Sequence, residues 1–316
     1  MSSIAPAAVQ GVLLMTFGSA VTSADVPDYL RSVRGGREPS AELVDEFRRR
    51  FDVIGRSPLI DITLEQARKL EAALDVREPT TRWTVEAGML HSAPRVRDAL
   101  ERLAERGATD VIAVVLAPQY SPLILSGYER TVAACAAADQ MLPPVHVAGA
   151  WHLVPSWVTS LADRVRASLQ THGDAAPAIV FTAHSLPRPV VERDPQYMEQ
   201  IHATIDAVAA AADLEPGSWS FAFQSAGHTP EEWLRPDLTE VLARLAHDGT
   251  REVLVVPVQF VADHLEILYD IDVAAAGQAR AAGLRFHRIE MPNAGSRFID
   301  ALVEVVDRER VAAATL

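Results

Sequence analysis

The pattern Ala99-Leu100-x-Arg102-Leu103-Ala104-x-x-Gly107-x-x-Asp110-Val111 returns as Val241-Leu242-x-Arg244-Leu245-Ala246-x-x-Gly249-x-x-Glu252-Val253, at a constant offset of 142 residues. In each copy a helical apolar period stops at a glycine and passes into a β-branched run. Leu13-Leu14-Met15-Thr16-Phe17-Gly18-Ser19 is echoed in the same way by Ile179-Val180-Phe181-Thr182-Ala183-His184-Ser185. Duplication of one α/β unit is the economical explanation. The rest of the chain fits it. Strands are expected near 10–17, 82–87, 111–116, 145–150, 178–183, 218–223, 252–259 and 284–289. Helices fall between them, one of them a single long helix at 262–282. Strands that alternate with helices make βαβ units and parallel sheets. At 316 residues the chain is long for one core and about right for two. The last helix, expected at 297–312, carries Phe298, Leu302, Val305 and Val306 on one stripe. No strand follows it, so it should fold back onto the first half. The expected domains are therefore 1–148 with 294–316, and 149–293, with a ligand cleft between them.

Two strand ends concentrate the chemistry. Val253–Pro257 is apolar and β-branched, and the chain then turns polar at Gln259, Asp263, His264, Glu266 and Asp270. In an open α/β sheet, ligands bind beyond the carboxyl ends of the strands. If 262–270 is helical, Asp263, Glu266 and Asp270 share one face, which suits a cation or a proton path. The alternative is a solvated acidic helix face. The other end is Ile179–Ala183, an apolar run with His184 at its tip.

Composition narrows the class. The formal net charge of −13 argues against nucleic acid as partner and against electrostatic attachment to anionic lipid. The single cysteine, Cys135, allows neither an internal disulfide nor a four-cysteine iron–sulfur cluster. No G-x-G-x-x-G follows a strand, and no G-x-x-x-x-G-K-[ST] occurs. No apolar run approaches ~18 residues, so no membrane span is expected, and the first residues lack the pattern of a signal peptide.

Ala183-His184-Ser185-Leu186-Pro187 and Phe260-Val261-Ala262-Asp263-His264-Leu265-Glu266-Ile267-Leu268-Tyr269-Asp270 resemble the two signatures of the ferrochelatase family, enzymes that insert ferrous iron into a porphyrin. The resemblance extends over roughly 10–310. It implies two Rossmann-like, chelatase-type domains and a lyase of heme biosynthesis. His184 and Glu266 would be the catalytic and metal-binding pair, with Asp263 and Asp270 as a metal path. Phe17, Arg34, Arg50, Phe51, Ser57 and Tyr128 occupy positions that resemble porphyrin-holding segments. Iron would be a substrate, with no prosthetic group. A cytoplasmic monomer is expected, in transient contact with neighbouring enzymes of the heme pathway. The segment Tyr29…Val33-Arg34-Gly35-Gly36-Arg37-Glu38-Pro39-Ser40 looks closest to the bacterial branch that uses coproporphyrin III. The alternatives are protoporphyrin IX as substrate, a cobalt or nickel chelatase, and a non-catalytic tetrapyrrole-binding protein. Two departures stand out. Phe17 replaces the tyrosine usual in that branch, and the loop before Ser57 is one residue short. The Gln224-Ser225-Ala226-Gly227 segment is expected to line the cleft, with His228 exposed.

Overall fold

The computed structural model describes residues 9–171, 176–227 and 231–313. In the first half, β1 (Val9–Thr16) is followed by α1 (Val26–Val33), α2 (Ala41–Ile54) and α3 (Leu59–Arg77). Then come β2 (Arg82–Met89), α4 (Val96–Glu105), β3 (Ala108–Val115), α5 (Pro122–Ala138) and β4 (Val145–Val147). The second half runs α6 (Pro155–Gln170), β5 (Ala178–His184), α7 (Arg188–Arg193), α8 (Gln196–Ala211), β6 (Trp219–Gln224), α9 (Leu238–His247) and β7 (Glu252–Pro257). A π-helix (Glu266–Ala275), α10 (Ala276–Ala281), β8 (Arg285–Arg288) and α11 (Ser296–Ala313) complete it.

The strands form two four-stranded parallel sheets, ordered β2-β1-β3-β4 and β6-β5-β7-β8. The two orders are the same order, since β5 stands to the second half as β1 does to the first. The sequence echo therefore has a structural counterpart: α4–β3 and α9–β7 occupy equivalent places. Each sheet is covered by helices on both faces, which is why its strands are continuous apolar runs. Val12, Leu13, Leu14 and Met15 in β1, and Val253, Leu254, Val255 and Val256 in β7, are all fully buried.

One apolar core runs through both halves. It joins Val12 and Leu14 to Phe181 and Val256 by way of Trp151, Trp157 and Phe298. Those three rings meet edge-on or tilted, with centroids 5.5–6.2 Å apart. The Trp151 indole donates to the Val115 carbonyl at 2.9 Å. The last helix, α11, lies against α3, β3 and α6. Its polar flank reaches both halves as well, through Asp307 with Arg77 at 2.7 Å and Arg297 with Asp163 at 3.6 Å.

Three local expectations change. Helix α5 begins at Pro122, five residues before the expected 127, because a proline is well suited to the first helical turn. Helix α7 was not anticipated. The expected helix at 262–282 is shorter and of two kinds: 262–264 are non-helical, 266–275 form a π-helix, and 276–281 form α10. Residue 263 is held out of the helix by Asn293. The Asp263 N–H donates to Asn293 Oδ1, and Asn293 Nδ2 donates to Asp263 Oδ2, each at 2.8 Å.

Helix α4 approaches β2 most closely at Gly88. A Cβ there would lie 2.7 Å from Val96 Cα, a backbone atom that cannot swing aside. Gly88→Ala should lower the unfolding free energy by about 1–3 kcal/mol in urea titration. An unchanged midpoint would mean that α4 can move off the sheet.

Candidate functional site

The site forms where the second sheet ends. His184 is the last residue of β5. Its Nδ1 lies in hydrogen-bonding contact with the Ser185 carbonyl. A carbonyl only accepts, so Nδ1 carries the hydrogen in the neutral ring and Nε2 presents a lone pair. That Nε2 faces Glu266 Oε2, 3.4 Å away. Glu266 opens the π-helix, and its Oε2 is shielded from solvent with no hydrogen-bond donor among the described residues. With the ring neutral and the carboxyl ionised, two acceptors would confront each other. Only a proton or a cation between them satisfies both. This is the arrangement expected of a pair that takes up protons or a metal ion.

Asp270 lies one turn further along the π-helix. It accepts from the Ser225 hydroxyl at 2.6 Å and from Arg50 at 3.4 Å. Burial pushes its pKa above the usual carboxylate range, and the charge of Glu266 adds to this; Ser225, Arg50 and His184 oppose it. The guanidinium of Arg50 is held between the rings of Phe47 and Tyr269, each 5.4 Å from its carbon. α2 of the first half is thereby tied to the π-helix of the second.

These groups line a cleft of about 420 Å³ between the carboxyl ends of the two sheets. Phe17, Arg50, Phe51 and Tyr128 stand on its first-half wall, and His184, Glu266 and Asp270 on the other. Phe17 is 43% exposed, and its ring meets that of His91 at 4.4 Å. Burial raises the phenol pKa values of Tyr29 and Tyr128, so both hydroxyls stay protonated.

Three expected residues stand apart from this wall. Asp263 does not share a face with Glu266 and Asp270, because it precedes the helix and pairs with Asn293 and with Arg288 at 3.4 Å. Arg34 caps α1 on an exposed turn. Ser57 is buried, its hydroxyl without a partner, and it does not line the cleft. Ser225, Ala226 and Gly227 do line the cleft, whereas His228 lies outside the described residues. Reasoning from sequence placed Ser225 in a cleft-lining segment and Gln259 among the polar residues beyond β7 but gave neither a role, and it did not single out Tyr29 as a site residue. The usable signal for Gln259 was a lone amide after an apolar strand.

The chain matches the ferrochelatase family over residues 9–310. It belongs to that family. A ferrochelatase of Deinococcus radiodurans is 35% identical over 304 residues, covering 95% of each chain. A coproporphyrin III ferrochelatase of a Geobacillus species is 34% identical, over 94% of this chain and 96% of its own. Coproporphyrin III ferrochelatase 1 of Bacillus cereus is 33% identical, over 95% of this chain and 97% of its own. Among solved structures, SirB of Bacillus subtilis with Fe3+ superposes with a TM-score of 0.57 at 13% identity, covering 94% of each chain. The same two-domain chelatase fold is seen in the cobalt complex of the sirohydrochlorin chelatase SirB, with a TM-score of 0.55 at 12% identity over 94% of each chain. Among the described residues of this ferrochelatase-family chain, no helix is long and apolar enough to cross a membrane.

The raised pKa of Asp270 has a stability consequence. A carboxyl whose folded pKa lies above its unfolded one favours the fold when protonated, and this contribution is lost as pH rises through the folded value. Asp270→Asn should therefore raise the thermal midpoint at neutral pH. The gain should shrink as pH falls below the ordinary aspartate range. A midpoint difference that grows on acidification would contradict the sign.

Proposed function

We propose that this chain inserts Fe2+ into coproporphyrin III to give iron coproporphyrin, with His184 and Glu266 as the reacting pair. The observation that carries the reading is the opposed Nε2 and Oε2, 3.4 Å apart at the cleft wall of a ferrochelatase-family protein. Metal insertion makes two demands. Two pyrrole N–H protons must leave, which needs a base near the ring centre. A divalent iron must also exchange water for ligands, and imidazole nitrogen with carboxylate oxygen suits it. The His184 imidazole and the Glu266 carboxyl group offer both. Asp270 lies beside Glu266 on the same π-helix and extends the acidic surface inward.

The preference for coproporphyrin III is supported by the relatives of that name in Geobacillus and Bacillus cereus. It is supported also by polar residues on the first-half wall. Arg50 and Tyr128 line the cleft, and a guanidinium and a phenol suit propionate carboxylates. Arg34, exposed at the end of α1, is assigned to the rim, where it would meet a propionate that projects from the macrocycle. Ser57, with a buried and unpartnered hydroxyl, would act only after the loop before it adjusts. We assign the reaction to the cytoplasm.

The decisive experiment is anaerobic turnover of ferrous iron with each porphyrin, followed by its visible spectrum. The kcat/KM for coproporphyrin III should exceed that for protoporphyrin IX, and a ratio in favour of protoporphyrin IX would overturn the substrate. Arg34→Ala should lower kcat/KM for the tetra-acid more than for the di-acid. His184→Ala and Glu266→Gln should each reduce insertion by on the order of 10²-fold or more, with the fold retained. Near-normal turnover in either variant removes that residue from the chemistry.

A further inference from the structure

His184 stands where its strand has lost β7 as a neighbour, while it still pairs with Gln224 of β6 on the other side. β5 and β7 are in register up to Thr182 and Pro257, and the Val258 N–H closes that rung on the Thr182 carbonyl at 3.0 Å. In a parallel ladder the next rung would put the His184 N–H on the Val258 carbonyl. That carbonyl accepts from Gln119 Nε2 at 3.1 Å instead. The side chain of Gln259 supplies the missing acceptor: the His184 N–H donates to Gln259 Oε1 at 2.9 Å. The His184 carbonyl is held in turn by the Tyr197 hydroxyl at 2.8 Å, which also lies 3.1 Å from Gln259 Oε1. The His184 N–H can only donate, so the amide orientation is fixed, oxygen toward His184, and the single Tyr197 hydroxyl hydrogen serves the nearer His184 carbonyl or Oε1. Gln259 is 5% exposed and Tyr197 1%.

We propose that Gln259 is a positioning residue for His184. It replaces a backbone rung with a side-chain rung, and this sets the height at which the imidazole enters the cleft. Tyr197 completes the bracket from α8. The proposal rests on the reading of His184 as a reacting group. It predicts an effect on the chemical step rather than on the binding of the macrocycle, because Gln259 bonds the backbone of His184 and leaves Arg50 and Tyr128 untouched.

The test is steady-state ferrous iron insertion with coproporphyrin III, together with porphyrin affinity from tryptophan fluorescence quenching. Gln259→Leu keeps the bulk and loses the acceptor. Its kcat should fall on the order of 10- to 100-fold, the scale of a small misplacement of a reacting group. Its porphyrin affinity should stay within about twofold of the parent, since no contact with the macrocycle's partners is lost. Gln259→Glu keeps an oxygen acceptor in the same place and should recover most of the lost kcat. A Gln259→Leu protein with parental kcat overturns the proposal. So does an equal loss of kcat in both variants, or a fall of porphyrin affinity in parallel with kcat. An unsubstituted protein that turns over neither porphyrin would instead overturn the function proposed above.

Discussion

The register of β5 against β7 is the constraint on which the rest of the site depends. Thr182 opposite Pro257 brings the carboxyl ends of the two strands level. His184 and the segment that leads to Glu266 then leave the sheet side by side. A slip of one residue would turn His184 to the opposite face and break the confrontation with Glu266. Burial fixes this register firmly. Val180, Phe181, Thr182, Val255 and Val256 are all fully buried, so any slip would move apolar side chains out of packed positions. The helix-covered parallel sheet is thus also the device that sets a distance between two polar atoms.

What that distance does depends on the surroundings. The carboxylates of Glu266 and Asp270 lie in a cleft bounded by Phe17, Phe51 and Leu59, where charge is less screened than in water. Arg50 partly offsets them, and the ion pair is positioned by the rings on either side of it. The balance leaves Asp270 with a raised pKa, which records how incompletely its charge is compensated. Among the described residues no three potential metal ligands are gathered into a closed site.

The two halves are not independent bodies resting on each other. Trp151, Trp157 and Phe298 form an aromatic junction in the core that both sheets share. Gln119 at the end of β3 reaches Val258 and Thr204 of the second half, at 3.1 and 3.0 Å. The Tyr120 N–H likewise donates to Gln200 at 2.6 Å. These polar ties sit at the base of the cleft, behind His184. They join the two halves on that side of the cleft.

The amino-acid sequence determined the fold class, the doubling and the two tips. Eight β-branched runs between helical periods leave little besides parallel α/β sheets, and the 142-residue echo marks the same helix–strand unit in each half. His184 and Glu266 were legible because they fall within the two signature segments, Ala183–Pro187 and Phe260–Asp270, that lie at and beyond the ends of two apolar strands. The tertiary structure decided the rest. Asp263 was expected beside Glu266, since a regular helix would put both on one face. Asn293 and Arg288, 25–30 positions away, hold it elsewhere. The π-helix that carries Glu266 and Asp270 has a period that local propensity does not announce. Arg34 and Ser57 fit a motif, but motif matching carries no information about which side of a turn faces the cavity. Gln259 became meaningful only when the Val258 carbonyl was seen to be occupied by Gln119, a residue 139 positions earlier in the chain. Periodicity and strand-end polarity are written locally; which donor meets which acceptor is decided only once distant segments meet.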